Sequence, residues 1–429
     1  MPPDFDEHDE EDDQQKLLTA LDYQILVLSE CGKPIYSSCR HEDELASFFA
    51  FIQVLVKRYE SWGDDLMSIQ SHDVYIQIAV RSPLIVCIVS KHPFNLGIQL
   101  DTVFNEIFSV VVRKKLKDRY ESTAGNFDLR RWLEGIEKRI EACVRGFNED
   151  PVVFSSGYRI LPLDAHDREF IVNSMATSIN EAGLTNVAFA ILVAHRQLVA
   201  IVRMKHLDLS ASDFNTIVNL IETHNSLRHI ETFVPICLPN FNSSQYFHAY
   251  ISYLWEGAGP CLIMLSSTAD GVFKQLSEVR ASIESKFPSY KRNMELKSSL
   301  TQPTSFSLKQ LSNGELWHFM YKNVQLMQVC CSSPELPFIN IKELEIVYQG
   351  YFKFADMYSR VNGKVKIFFQ QLDTYALFSW ITDSFELHCV FSPFVTKKVA
   401  WATSEKMLRA LRRAEKCVFF TLQPGLLNG

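Results

Sequence analysis

Apolar positions along the chain switch between two periods, and the switch recurs three times. Gln24-Ile25-Leu26-Val27-Leu28 is a short, nearly unbroken apolar run, the pattern of a buried strand. Gly32-Lys33-Pro34 punctuates a turn, and Ile35-Tyr36 opens a second short strand. The period then becomes helical, with Leu45, Phe48, Phe49, Ile52, Leu55, Val56 and Tyr59 on one face. Glu42, Asp43 and Glu44 suit the positive end of that helix's dipole, and Gly63 to Asp65 stops it. Residues 68–71, 74–80 and 84–89 predict three further strands, and 98–116 and 129–146 predict helices.

A second cycle follows. Residues 163–184 predict a linking helix, and 187–194 and 197–203 predict a hairpin around His195-Arg196. Ser210 or Ser212 can cap a helix bearing Phe214, Ile217, Val218 and Ile221. Strands at 232–237, 247–254 and 261–265 precede a helix at 271–287. The third cycle begins near Pro303, with strands at 317–321 and 325–330 and a helix at 341–358. Strands at 364–369, 375–382 and 386–392 and a helix at 404–416 close it, with 418–422 trailing. The predicted class is α/β: three tandem modules, each a five-stranded, mostly antiparallel sheet flanked by helices. Their predicted bounds are 19–150, 151–302 and 303–429, behind a tail at 1–18.

Charge changes the picture at one end. The formal net charge is −7, but Asp4, Asp6, Glu7, Asp9, Glu10, Glu11, Asp12 and Asp13 crowd the start of the chain. Without these eight, 42 acids face 43 lysines and arginines. The body is nearly neutral, which argues against a nucleic-acid protein. The tail cannot bury apolar surface and is predicted to be disordered. The acidic start is unlike a secretory signal, and no uncharged apolar run reaches the roughly 18–20 residues of a membrane span. The run at 187–202 is broken by His195 and Arg196. Ten scattered cysteines without a CxxC pair fit buried thiols in a reducing compartment, so the sequon at Asn242 is a chance match.

Candidate chemistry is thin. Gly32-Lys33-Pro34 lacks the rest of a phosphate loop and reads as a hairpin turn. His41-Glu42-Asp43-Glu44-Leu45 has Leu where a zinc-protease helix needs its second His. Cys330 and Cys331 are neighbours in a strand and face opposite ways. His248 sits in an apolar strand as a core histidine. No nucleophile, metal or acid–base site, and no cofactor, is predicted.

Two surface features stand out instead. The first helix is apolar on its outer side too, with Ala46, Ala50, Phe51 and Val54 accompanied by Ser47, Gln53, Lys57 and Arg58. A helix that is apolar all round should be buried all round. Either the second or third module covers that side, or it is a subunit interface. The matching helix of the second cycle has Asn215, Asn219 and Glu222 on its far face. Basic runs at Arg113, Lys114, Lys115, Lys117 and Arg119, and at Arg409, Arg412, Arg413 and Lys416, are either solvated faces or contacts to anionic, phosphoinositide-bearing membrane.

The module order resembles the longin and roadblock modules of trafficking proteins. The stretch from Leu28 to Ser37 (LSECGKPIYS) looks like the opening signature of the Mon-one (SAND) family of vacuolar fusion proteins. So do Arg81-Ser82-Pro83-Leu84, Asp128-Leu129-Arg130-Arg131, the run Cys237 to Asn242 (CLPNFN) and the run Phe247 to Leu254 (FHAYISYL). His318-Phe319-Met320-Tyr321-Lys322, Ser384-Phe385-Glu386-Leu387 and Phe391-Ser392-Pro393 continue the match, which spans about residues 23–422 in order. It departs at Cys31, where the family pattern has Ala.

The resemblance implies a job. Such a protein pairs with a second triple-longin subunit, Ccz-one, and the pair is a guanine nucleotide exchange factor for the late-endosomal GTPase Rab-seven. A third, scaffold-like subunit is implied in animals, together with peripheral recruitment from the cytoplasm to late endosome, lysosome or vacuole membrane. Because Gly32, Lys33 and Pro34 lie at a turn that a core does not explain, the GTPase is expected to dock beside that hairpin and the first helix, on Lys33, Gln53, Lys57 and Arg58, though an exposed turn lysine is also an ordinary solvated group. The alternative is a tethering or scaffold subunit whose partner supplies the exchange activity, and a hydrolase is a distant third.

Overall fold

The computed structural model describes residues 18, 21–40, 42, 44–72, 74–94, 96–123, 128–223, 231–255, 259–302, 306, 308, 314–333, 337–338, 340–421 and 425–427. The acidic tail, His41, Asp43 and the predicted start of the third module at Pro303 lie outside them. The chain divides into two compact units, residues 1–148 with 242–244, and 149–241 with 245–429.

The first unit is built on strands whose apolar letters run without a break. Strands β1 (Tyr23–Ser29) and β5 (Leu84–Ser90) are buried at every position. That pattern requires cover on both faces. They occupy the middle of a five-stranded antiparallel sheet, ordered β2-β1-β5-β4-β3, with β2 at Pro34–Ser37, β3 at Ser68–Ser71 and β4 at Val74–Arg81. Helix α1 (Ala46–Ser61) covers one face, where Phe49, Ile52 and Val56 meet Leu26, Leu28, Ile78 and Cys87. Helix α2 (Leu96–Val110) packs against β4 and β5. Helices α3 (Arg113–Ser122) and α4 (Glu137–Glu149) follow. Phe147 of α4 reaches Tyr23 of β1, with ring centroids 5.9 Å apart, and Arg139 of α4 pairs with Glu106 of α2 at 2.7 Å, both buried.

Two predicted helices differ here. The one at 98–116 is broken, because Val110, Val111 and Val112 are three β-branched residues in succession and Val112 is extended, with ψ 119°. Residues 129–132 form a 3-10 turn capped by Asp128, whose carboxylate accepts from Arg130 N at 3.1 Å, so the regular helix starts at Glu137. The acids ahead of α1 also differ in role: Glu42 accepts from Ser37 N at 3.0 Å, and the first turn of α1 holds no acid.

The second unit holds two more sheets. A two-residue strand β6 (Tyr158–Arg159) and helix α5 (Ala165–Glu181) lead into β7 (Val187–Ala194) and β8 (Gln197–Met204). Helix α6 (Ala211–Thr223), capped by Ser210, precedes β9 (Thr232–Leu238), β10 (Asn242–Tyr253) and β11 (Cys261–Ser266). Helices α7 (Phe273–Lys286) and α8 (Asn293–Thr301) complete this part. The last stretch runs β12 (Leu316–Asn323), β13 (Gln328–Cys331), α9 (Ile341–Arg360), β14 (Ile367–Gln371), β15 (Ala376–Ile381), β16 (Phe385–Phe391), α10 (Lys397–Arg413) and β17 (Gly425–Leu427).

Both sheets have six strands rather than the predicted five, and for one reason. Each takes a short parallel strand from sequence outside its own cycle. The orders are β17-β8-β7-β11-β10-β9 and β14-β15-β16-β12-β13-β6. The C-terminal β17 pairs with β8, and β6 pairs with β13. Alternation along β12 then sorts the third sheet's faces. Phe319 faces a core with Met407 and Leu411 of α10, whereas His318, Met320 and Lys322 belong to the face that carries α9. Helix α9 sits close to β15 because it has Gly350, where an added Cβ would lie 2.4 Å from Leu377 Cδ1.

A polar clamp joins these two sheets. Arg168 of α5 is fully buried, and its guanidinium donates to the carbonyls of Val199, Leu161 and Cys417, each at 2.9 Å. Burial pushes its pKa down to about 10, so it stays charged at neutral pH. Leu163 N also donates to Cys417 O at 3.0 Å. Removing the guanidinium by Arg168→Met takes a buried donor from three carbonyls, of which Cys417 O keeps Leu163 N, at about 3 kcal/mol or more. Thermal unfolding should show a Tm lower by at least about 6 °C at roughly 2–4 °C per kcal/mol. A change below about 2 °C would show that the clamp carries little of the stability.

Candidate functional site

Helix α1 is divided by its own geometry. The inner positions Phe49, Ile52 and Val56 are sealed, while Ala46 and Ala50 are exposed, and Phe51 and Val54 are 54% and 60% exposed. Among the described residues, nothing in the first unit covers that side. The stripe continues one turn further than the sequence reading took it: Arg58 lies 4.8 Å from the ring centroid of Trp62, itself 62% exposed. Positions 51, 54, 58 and 62 share a face by the 3.6-residue period. Lys57, beside them, pairs with Glu60 at 2.8 Å. The corresponding α6 differs from its expected solvated far face. Asn215 donates to Gly157 O at 2.9 Å, Asn219 is buried, and Glu222 pairs with Arg196.

The β1–β2 turn is braced from three directions. Gly32 N donates to Ser29 O at 2.8 Å and Ser29 N to Lys33 O at 2.9 Å, with Gly32 at φ +84°, where a side chain would be strained. Gln53 of α1 packs beneath, its Cγ 3.3 Å from where a Gly32 Cβ would stand, and its amide donates to Glu30 O at 3.4 Å. Arg130 donates to Pro34 O at 2.8 Å. From α3, the Tyr120 hydroxyl reaches Cys31. Burial raises the Cys31 thiol, but hydrogen bonds from Ser29 and Tyr120 and the charge of Lys33 leave it net lowered. Lys33 is exposed at the tip. Of the four residues assigned to the GTPase, Lys33, Lys57 and Arg58 are on the surface and Gln53 is half-buried as a brace. Arg130, Tyr120 and Trp62 were not assigned any role from sequence.

The basic runs sit in contrasting fields. Arg113, Lys114 and Lys115 are exposed in the first turn of α3, not at the end of a longer helix. Three cations there oppose the helix dipole. Arg409, Arg412 and Arg413 are exposed near the C-terminal end of α10, where the dipole favours them.

His248, His318 and His388 are built into packing. His248 is half-buried and stacks on Phe233, with centroids 5.5 Å apart. His318 and His388 are the sealed ones: His318 Nδ1 meets the Tyr351 hydroxyl at 2.9 Å, and His388 Nδ1 meets the Ser379 hydroxyl at 2.8 Å. Desolvation, helped by Arg159 for His318 and Lys322 for His388, lowers both to about 3. All ten cysteines are free thiols. Among the described residues, no cluster of His, Cys, Asp and Glu could hold a metal ion, and no helix is long and apolar enough to cross a membrane.

Comparison with known proteins agrees with this architecture. Residues 23–142, 185–284 and 315–415 match the models for the first, second and third longin domains of FUZ, MON1 and HPS1. The chain is 30% identical to Protein SAND of Takifugu rubripes over 403 residues, covering 92% of this chain and 75% of that one. It is 29% identical to Vacuolar fusion protein MON1 homolog A of Bos taurus, covering 92% and 70%. With the MON1 homolog of Oryza sativa subsp. japonica it shares 27%, covering 96% and 77%.

The buried histidines set a pH dependence. Unfolded histidine takes a proton below about pH 6.5, but His318 and His388 stay neutral in the fold down to about 3. The unfolded state therefore binds more protons in that window, and stability falls as pH drops through it. Between pH 6.5 and 5.5 each ring should remove about 1 kcal/mol. Denaturant unfolding at the two pH values measures it, and His388→Gln should remove roughly half of the loss assigned to the pair. A slope that His388→Gln leaves untouched contradicts the assignment.

Proposed function

The chain belongs to the MON1/SAND family of vacuolar fusion proteins, and from that premise we propose that it is one subunit of a heteromeric guanine nucleotide exchange factor. Its partner is a Ccz-one-like triple-longin subunit, its target the late-endosomal Rab-seven GTPase, and its setting the cytoplasmic surface of late endosome, lysosome or vacuole. A third, scaffold-like subunit joins in animals. On this reading the chain is a short tail and three modules at 19–150, 151–302 and 303–429. Exchange factors work by binding the nucleotide-free GTPase better than the loaded one, with no bond made in the factor. The work belongs to a shaped surface.

The observation that carries the proposal is the exposed apolar stripe of α1. An interface core needs aromatic and aliphatic anchors with few charges, and Phe51, Val54 and Trp62 with Ala46 and Ala50 supply them. The partner subunit occupies this stripe. Lys33, Lys57 and Arg58 form the polar rim offered to the GTPase, with Gln53 holding the Lys33 turn in place. The exposed Arg113, Lys114, Lys115, Arg409, Arg412 and Arg413 supply charge for an anionic, phosphoinositide-bearing membrane.

Phe51→Asp separates folding from assembly. The side chain is half outside in the single chain, so Tm should change by less than about 2 °C, within the usual range of surface substitutions. In an interface the carboxylate would be desolvated at a cost of several kcal/mol, and co-purification with the Ccz-one-like subunit should fail. Normal co-purification would place the partner elsewhere. Charge reversal at Lys33, Lys57 and Arg58 should leave the heterodimer intact but slow release of a fluorescent guanine nucleotide from Rab-seven by about tenfold or more, since rim charges act on encounter and register. An unchanged rate removes the GTPase from this edge, and release driven equally well by the partner alone favours a scaffold role for the chain.

A further inference from the structure

A sheet edge invites pairing with another chain, and all but one of the sheet edges among the described residues are blunted. In the first sheet, β2 has four residues and starts at Pro34, and β3 has four residues, three of them exposed. In the second, β17 has three residues and β9 carries Pro235. In the third, β6 has two residues. The exception is the other edge of the third sheet, β14. It has five residues and no proline, and it pairs with β15 without a register shift. No further strand pairs with it among the described residues.

The backbone of this edge is half used. Ile381 N donates to Lys366 O at 2.8 Å and Leu372 N donates to Tyr375 O at 2.9 Å, so residues 366 and 372 bond inward. Bonding alternates along an antiparallel strand. Residues 368 and 370 therefore bond inward too, and Ile367, Phe369 and Gln371 turn their amides and carbonyls outward. That row can accept a further strand.

Alternation also sorts the faces of the edge. Ile367 and Phe369 lie on the α10 side with their pair partners Trp380 and Phe378, and both are half-buried. Gln371 donates to Pro393 O at 2.6 Å, which ties the next residue, Phe394, to the end of the strand. Phe394 is 90% exposed. Lys366 falls on the opposite face and is exposed, as is Lys364 before it. Lys397 and Lys398 are exposed just beyond Phe394, and Asp373 is exposed in the β14–β15 turn. A strand added here meets apolar side chains on one face and lysine on the other. We propose that β14 takes an extended segment of another protein, apolar and acidic at alternate positions, as a seventh strand of the third sheet. Lysines beside the edge repel a second β14 brought alongside, and a row of outward amides and carbonyls suits a peptide better than a lipid surface.

The probe is a dye-labelled octapeptide alternating glutamate and valine, added to the full chain and read by fluorescence anisotropy. It should bind at least about tenfold more tightly than an octapeptide alternating lysine and valine. Two further versions carry N-methyl groups on the valine amides or on the glutamate amides. Only one set can face β14, so one version should bind at least about tenfold more weakly than the parent peptide. Phe394→Ser and Lys366→Glu should each weaken the parent peptide at least about fivefold. Both side chains are exposed, so Tm should move by less than about 2 °C. A parent peptide that does not bind, or one that methylation at neither set weakens, overturns the proposal. So does sedimentation of a dimer that Phe394→Ser dissociates in a chain that ignores the peptide, which assigns the edge to a second copy. Capture of such a chain by phosphatidylcholine–phosphatidylserine vesicles, lost in Phe394→Ser, also overturns it and assigns Phe394 to a membrane.

Discussion

The arrangement of the second unit depends on one buried cation and the short strap of chain that it holds. The carbonyl of Cys417 receives both Arg168 and Leu163 N from the sequence before β7. Three residues on, Phe420 exchanges two hydrogen bonds with the side chain of Gln328 on β13, at 2.8 and 3.3 Å. The strap is therefore fastened to the second sheet's segment by Arg168 and to the third sheet by Gln328. A charged guanidinium would be expensive in this position without partners, and three carbonyls turn it into a directional fastener. The strand exchanges extend the same logic. β6 lengthens the third sheet and β17 the second, so each sheet edge is closed by chain from the other's side of the sequence. Two separate modules joined by a linker would be expected to move. Shared strands and a buried clamp oppose that.

The first unit is organised by a different constraint. Its two central strands are buried on both faces, which fixes α1 on one side and α2 and α4 on the other. Once α1 has satisfied the sheet, its outer stripe has no further cover among the described residues of that unit. Phe51, Val54 and Trp62 therefore keep large apolar areas in water, a cost that a lone domain seldom carries on one helix. The second unit shows the alternative solution. There Asn215, Asn219 and Glu222 of α6 are each engaged by neighbours or buried.

Much of this was legible because the apolar pattern was strong. The runs at β1, β5 and β7 gave strands within a residue or two, and the switch to helical spacing gave α1, α5, α6 and α9. The elements that escaped lack a pattern of their own. β6 and β17 have two and three residues, and only the edge they join makes them strands. α10 begins at Lys397 rather than at 404, because its first two turns bury only Ala400 and Thr403 and so show a faint stripe. The stripe at Phe51 and Val54 could be read because both faces of α1 are apolar, but Trp62 was lost because the outer face was followed no further than Arg58. Arg130 reaches Pro34 across 96 residues, a contact that no local spacing encodes. His318 and His388 read as strand letters, and only the tyrosines of α9 opposite them reveal that both are sealed.

Those tyrosines also bear on what kind of surface does the work. His318, His388 and Cys237 are locked into packing. Desolvation holds the buried imidazoles neutral far below their ordinary range, and it pushes the Cys237 thiol up to about 11. Such groups neither exchange protons near neutral pH nor reach solvent. The exposed end of the first sheet is built the other way. Lys33 stands on a turn whose backbone is fixed by Gly32, Gln53 and Arg130, so the ammonium is mobile only along its own side chain. A charge presented from a rigid turn loses less entropy on docking than one on a loose loop. Preorganisation of that kind lowers the cost of docking at this turn, as the role proposed for Lys33 requires. The braces, more than the lysine, make the β1–β2 turn a distinct feature of the first unit.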